Sequence, residues 1–249
     1  MQRGTVLALA LSSALFVPPH LAAQRVVAST SWTAAFARAA GATEITIIAP
    51  AELQHPPEYD IKPSDLEAVR NASLVVYAGY EKFAKRLAET SAGGGTKTLQ
   101  VLTDNAPAAV KEQARRIAEA LGTTEAWKRW AGGVDAFADQ SRAQVQAAWP
   151  DRRAVVQKMQ RSFAEWLGFE VVGEFGPAEP SPALVLELIR TRPAVVIDNY
   201  HNPSGRAIAE SLKVPHVALI NFPGKDGTRS IEDLYSHNAA LLVTAAARR

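Results

Sequence analysis

Two short segments of this 249-residue chain carry side chains that can bind a transition metal. The first segment holds His55 and Glu58, and the second holds Asp198 and His201. Neutral imidazoles and charged carboxylates are ligands that zinc and manganese accept in proteins. Because the chain contains no cysteine, it offers no thiolate ligand and no disulfide. Any metal site must therefore be built from histidine and carboxylate.

The second segment lies where ligands commonly bind in α/β proteins. The apolar run 194–197 predicts a buried strand, and a helix is predicted to begin near Ser204. Open α/β sheets bind ligands in the crevice outside the carboxyl ends of their strands. Asp198 and His201 are therefore expected to face such a crevice. Other roles remain open: Asp198 can cap the following helix, and His55 can be a solvated loop histidine.

The same segment also contains the residue types of a hydrolase triad. Asp198, His201 and Ser204 lie close together in the sequence. Triads are recognised by geometry rather than by sequence proximity, and the chain has neither a Gly-x-Ser-x-Gly elbow nor a cysteine nucleophile. We therefore expect a binding protein rather than an enzyme.

The remaining sequence alternates strand-like and helix-like segments, which predicts mostly parallel sheets flanked by helices. One helical pattern, 124–148, is much longer than the others and spans about 37 Å. We predict an α/β protein of two lobes, each a mostly parallel sheet flanked by helices, joined by this backbone helix. The predicted domains are residues 24–122, the connecting helix 123–149, and residues 150–249.

Three local features are also predicted from the residues. Gly132 and Gly133 are a point at which the long helix can bend. Residues 93–95, all glycine, predict an exposed loop. Ser64, with Glu67 three residues later, predicts a helix that begins with a capping box.

The first 23 residues predict a secretory signal peptide. A short basic start is followed by the apolar run 4–17 and by small residues at 21–23. That run of about 14 residues is shorter than the ~20 that span a bilayer. Because no cysteine is present to carry a lipid, we expect a periplasmic protein without a lipid anchor.

Composition and charge narrow the class of partner. A hydrophobic content of 47% indicates a globular chain. The formal net charge is only +2, and no long basic block is present, so nucleic acid is not an expected partner. We expect a monomer.

Four segments resemble a known family. They are 54–66 with its Pro-Ser-Asp at 63–65, 26–31, 162–173 and 230–238. Together they resemble the metal-receptor class of periplasmic solute-binding proteins, which serve zinc and manganese ABC transporters. The resemblance covers nearly the whole mature chain. It implies a divalent transition metal, zinc or manganese, as transported ligand and an ABC transporter membrane permease as partner.

The ligand positions of that family carry different residues in this chain. Its three histidine positions fall on Pro57, Gln100 and Gln160, and its carboxylate positions fall on Asp198 and Asn221. Amide side chains are weak, uncharged donors for transition metals. We therefore predict a relocated metal site.

The predicted metal ligands are His55, Asp198 and His201, and the further cleft candidates are Glu58, Gln100, Gln160 and Asn221. The leading hypothesis is a receptor that captures a transition-metal ion or a metal complex in the interlobe cleft and delivers it to an ABC permease. The alternative is a receptor of the same fold that has lost the metal site and binds a small organic ligand. The amides at 100, 160 and 221 would suit that ligand.

Overall fold

Two parallel four-stranded sheets organise the protein. The structure is a computed structural model that describes residues 24–248, so the predicted signal peptide lies outside the described residues. The first sheet has the order β2-β1-β3-β4 and the second has the order β6-β5-β7-β8. The strands are β1 (Arg25–Ala28), β2 (Glu44–Ile47), β3 (Leu74–Tyr77), β4 (Lys97–Gln100), β5 (Arg153–Gln157), β6 (Glu170–Phe175), β7 (Val195–Asn199) and β8 (His216–Leu219).

Helices flank each sheet and give the two-lobed α/β architecture that the sequence predicts. A short strand, β9 (Pro223–Asp226), follows the second sheet, and 3-10 turns occur at Pro56–Glu58 and Lys158–Gln160. No helix within residues 24–248 has the length and apolar character needed to cross a membrane. The helices are α1 (Ser31–Ala39), α2 (Pro63–Arg70), α3 (Ala84–Gly94), α4 (Pro107–Leu121), α5 (Thr124–Ala148), α6 (Arg161–Leu167), α7 (Pro182–Arg190), α8 (Arg206–Leu212) and α9 (Ile231–Ala246).

The long helix α5 connects the first lobe to the second without a break. Its buried residues Val134, Ala138, Ser141 and Val145 recur at intervals of three and four, which makes one continuous stripe. That stripe packs against α4 and α9. The glycines at 132 and 133 lie on the opposite, exposed side with open space around them. Packing along the stripe therefore keeps the helix continuous at a point where the glycines alone would allow a bend.

Two local predictions differ from the structure. Helix α3 continues through Gly94 and ends at Gly95, whose φ of 73° is the left-handed conformation that commonly ends helices. Helix α2 begins at Pro63, one residue before the predicted cap. The backbone N–H of Lys62 donates to the Asp65 carboxylate at 2.8 Å, so Asp65 rather than Glu67 fills the capping role.

One hydrophobic core runs through both lobes. It joins residues beneath the first sheet, including Phe36 and Ile117, to α5 and then to residues of the second sheet and α9, including Ile197 and Leu234. Two smaller clusters cover the outer faces of the sheets. The two lobes therefore share one continuous core.

A buried asparagine, Asn105, is among the residues that bond the two lobes to each other. Asn105 Oδ1 accepts from the Trp32 indole N–H at 3.0 Å, and its Nδ2 donates to the Asn221 carbonyl at 2.7 Å. Its own carbonyl accepts from the Tyr235 hydroxyl at 2.8 Å. The side chain of Asn105 is therefore bonded to one partner from each lobe.

Replacing this residue should strongly destabilise the protein. We expect Asn105→Ala to lower the free energy of unfolding by roughly 2 to 5 kcal/mol, because an indole N–H and a carbonyl are left buried without partners. Asn202→Ala, which removes one exposed bond to the Pro177 carbonyl, should cost less than about 1 kcal/mol. Urea unfolding of both variants measures the difference. Equal losses would contradict the role assigned to Asn105.

Candidate functional site

A cavity of about 400 Å³ lies between the two lobes. This volume is within the range of sites that bind small molecules. Its lining includes Trp32, His55 and Tyr80 from the first lobe and Met159, His201 and Phe222 from the second.

Strand ends place these side chains around the cavity. Trp32 follows β1, Tyr80 follows β3, His201 follows β7 and Phe222 follows β8. Because the strands of each sheet are parallel, their carboxyl ends emerge at the same edge. Both lobes turn that edge toward the cavity, so the crevice that the sequence predicts is present between them.

His201 is held in one tautomer. Its ring stacks on Phe222 with centroids 3.5 Å apart, and its Nδ1 accepts from the backbone N–H of Asn221 at 3.3 Å. A backbone N–H can only donate, so Nδ1 must carry the lone pair and Nε2 the proton. Burial, with a smaller contribution from nearby His55, lowers the pKa of His201 to about 3. The neutral ring therefore contributes an N–H donor to the cavity.

The other candidates in the first lobe differ in their relation to the cavity. His55 is exposed and contributes to the cavity rim. Glu58 forms an exposed ion pair with Lys82, with Oε2 and Nζ 3.7 Å apart, and does not line the cavity. Gln100 Nε2 donates to the Ala78 carbonyl at 3.0 Å, and its side chain packs on Gly79. Only His55 of these three candidates contributes to the cavity.

Asp198 anchors the loop after β7 instead of lining the cavity. Its carboxylate is fully buried and accepts from the backbone N–H groups of Asn199 and Gly205 and from His216 Nε2, each at 2.8 Å. Burial alone would raise the pKa of Asp198, but the hydrogen bonds from His216 and from the backbone outweigh it and lower that pKa. The carboxylate is therefore ionised and committed to the turn that leads into α8, a role the sequence also allows.

The predicted three-residue metal site is not assembled in the structure. His55 and His201 share the cavity, whereas Asp198 is committed elsewhere. Within the described part of the chain, no group of three or more histidine, cysteine, aspartate or glutamate side chains is placed to hold a metal ion. Asp198 also pairs with His216 rather than His201, so the sequence neighbours Asp198, His201 and Ser204 do not form a hydrolase triad.

Gln160 and Asn221 form an amide pair beside the cavity. Gln160 is fully buried, and its Nε2 donates to the Leu219 carbonyl at 3.1 Å and to Asn221 Oδ1 at 2.6 Å. Asn221 lines the cavity, but Gln160 does not. Sequence reasoning did not single out Asn199, another lining residue, although it ends β7 next to Asp198.

The low pKa of His201 predicts a specific loss of stability in acid. The unfolded chain binds a proton at this imidazole below its ordinary pKa of 6.5, whereas the folded protein does not until about pH 3. Stability from this group is therefore present above pH 6.5 and is lost as the pH falls. We expect His201→Phe to lose about 2 kcal/mol less than wild type between pH 6.5 and 4.5.

Urea unfolding at a series of pH values measures this difference. NMR titration of the imidazole gives an independent check, since the His201 resonances should not titrate above about pH 4. A titration midpoint close to the ordinary pKa of histidine would overturn the assignment of a buried neutral ring.

Solved structures show the same fold at low sequence identity. A mutant of the laminin-binding adhesin Lmb from Streptococcus agalactiae is 17% identical with a TM-score of 0.70, and the match covers 89% of this chain and 99% of that one. A structure described as ZnuA is 18% identical with a TM-score of 0.67, covering 90% and 99%. A Mn-bound mutant of a periplasmic metal-binding protein from Candidatus Liberibacter asiaticus is 15% identical with a TM-score of 0.68, covering 90% and 99%.

Sequence comparison assigns the family. No curated protein matches this chain significantly. The family described as "Zinc-uptake complex component A periplasmic" matches residues 26–245, which is almost all of the described chain. The resemblance of the four sequence segments is thereby confirmed, and the chain belongs to this family of periplasmic zinc-uptake components.

Proposed function

We propose that this protein is the solute-binding component of a metal-uptake system and that its cavity takes the metal as a complex with a small chelator. Family membership supports the uptake role. One observation of the cavity carries the proposal about the complex: its lining contains two imidazoles and no carboxylate.

The available donors are too few for a bare ion. Structural zinc sites use four protein ligands, and catalytic sites use three. In this cavity the Nδ1 lone pair of His201 is occupied by the backbone N–H of Asn221, so His55 is the one imidazole left to bind a metal. A chelator supplies the missing donors and negative charge, and His55 occupies one remaining coordination position. The volume of about 400 Å³ accommodates such a complex.

We propose further that the protein acts as a periplasmic monomer and passes its ligand to an ABC permease. The family description places its members in the periplasm and in zinc uptake. The relatives from Candidatus Liberibacter asiaticus include Mn-bound and Cd-bound forms. Zinc and manganese are accordingly the first metals to test as the carried ion.

A second candidate is a receptor for a metal-free organic ligand. The amide pair Gln160 and Asn221 favours it, because these residues occupy positions where the family resemblance places a histidine and a carboxylate. Asn221 lines the cavity and its oxygen is bonded to Gln160, so this part of the wall is neutral and polar rather than a cation site.

Thermal unfolding with defined ligands separates these candidates. We expect zinc citrate or zinc bis-histidinate to raise the Tm of the wild-type protein and ZnCl₂ or MnCl₂ alone to leave it unchanged. A ligand at 100 times its Kd adds about 2.7 kcal/mol of stability. His55→Ala should reduce the shift with the zinc complexes, whereas His237→Ala, on α9 and away from the cavity lining, should not.

Two other outcomes would indicate a bare-ion site or a metal-free organic ligand. A large shift with ZnCl₂ alone would refute the requirement for a chelator and indicate a bare-ion site. Equal shifts with citrate and with zinc citrate, both insensitive to His55→Ala, would favour the metal-free organic ligand.

A further inference from the structure

We propose that the cavity recognises a carboxylate group of its ligand through the side-chain N–H groups of Asn199, His201 and Asn221. This inference deepens the proposed function and rests on the cavity being the ligand site. It follows from a series of hydrogen bonds that fixes the orientation of each side-chain amide and imidazole. Each bond involves a backbone group that can only donate or only accept, or a side chain whose own orientation is fixed by such a group.

The series of hydrogen bonds begins at Gln160. The Leu219 carbonyl can only accept, so the Gln160 atom 3.1 Å from it must be the nitrogen Nε2. The same nitrogen lies 2.6 Å from the Asn221 side chain, which must therefore present its oxygen. The Asn221 Oδ1 is consumed by this bond, and its Nδ2 group remains without a hydrogen-bond partner among residues 24–248.

Two backbone N–H groups continue this series of hydrogen bonds. The N–H of Asn221 donates to Nδ1 of His201, which leaves the Nε2–H of that ring free. The N–H of His201 donates to Oδ1 of Asn199 at 3.0 Å, which leaves the Asn199 Nδ2 group free. In all three residues the acceptor atom is used internally and the donor nitrogen has no partner in the described structure.

These donors belong to a built site and not to an exposed surface. Asn199, Asn221 and His201 are only 3%, 5% and 7% exposed, and all three line the cavity. The three nitrogens can be reached from the cavity, so a ligand acceptor can bind them directly. The apolar side chains of Trp32 and Phe222 line the same cavity beside them.

The chemistry of the donors selects the ligand group. A carboxylate has two oxygens with about four lone-pair directions, so it can accept from several N–H groups at once. No Asp or Glu side chain lines the cavity to repel it. A chelator carboxylate can bind its metal with one lone pair and accept from the protein with another. The same N–H groups present partly positive hydrogens to the cavity, so they disfavour binding of a bare cation.

An isosteric substitution tests this assignment. Asn221→Asp keeps the oxygen that accepts from Gln160 and replaces the free Nδ2 group with a negatively charged oxygen. By isothermal titration calorimetry with zinc citrate, we expect affinity to fall at least about tenfold. Asn202→Asp is the matched control, because it adds the same charge to the same cavity at a residue whose Nδ2 already donates to the Pro177 carbonyl. Repulsion by the added charge should weaken zinc citrate binding in Asn202→Asp too, and the loss in Asn221→Asp should exceed it by at least about threefold, because only Asn221→Asp also removes a free donor.

A second variant tests the same proposal in case Asn221→Asp does not fold. His201→Phe keeps a ring on Phe222 and removes the Nε2–H group, and circular dichroism melting establishes that each variant is folded. His201→Phe should also weaken zinc citrate binding. Unchanged affinity in both folded variants, or an equal loss in Asn202→Asp, would overturn the carboxylate proposal.

Two further probes separate this proposal from the proposed function. If wild type binds a zinc–phenanthroline complex, which has no carboxylate, as tightly as zinc citrate, carboxylate recognition fails while uptake of a metal complex stands. If wild type binds metal-free citrate and no zinc complex, the metal function fails while carboxylate recognition stands. Binding of neither citrate nor any zinc complex refutes both.

Discussion

The buried amide of Asn105 joins the polar residues of the cavity across the boundary between the two lobes. Its oxygen takes the indole N–H of Trp32, and its nitrogen takes the carbonyl of Asn221. Both residues line the cavity, and they belong to different lobes, so one side chain bonds its two sides. The residue is 3% exposed, and water cannot substitute cheaply for either bond. Asn105 therefore fixes the hydrogen-bond partners of the two lobes beside the cavity.

Hydrogen bonds within the protein also determine which atoms of Asn221 in the second lobe remain free. Asn221 gives its carbonyl to Asn105, its N–H to His201 and its side-chain oxygen to Gln160. Only its side-chain nitrogen is left for a ligand. A position at which the resembling family places a carboxylate thus becomes a fixed donor, which changes the charge that the site can accept.

Buried carboxylates in this protein act as loop anchors. Asp198 holds the turn after β7, and Glu81 accepts from the backbone N–H groups of Ala78 and Gly79 after β3 at 3.0 and 2.7 Å. Each carboxylate is satisfied largely by N–H groups of its own loop. The loops at both strand ends are held in place as a result, and no negative charge is contributed to the cavity. A neutral site with aromatic walls follows from this use of acidic residues.

The sequence by itself determined the two-lobed α/β fold, the long connecting helix and the family, because these depend on the spacing of apolar residues and on local motifs that span several turns. It also indicated that His201 belongs to a loop at a strand end. Tertiary structure decided which atoms of those residues remain free. Asp198 has the residue type of a metal ligand, but His216, eighteen positions later, reaches it only in the folded sheet. The tautomer of His201 and the orientation of Asn221 likewise depend on partners from other strand ends, so no local pattern could reveal them.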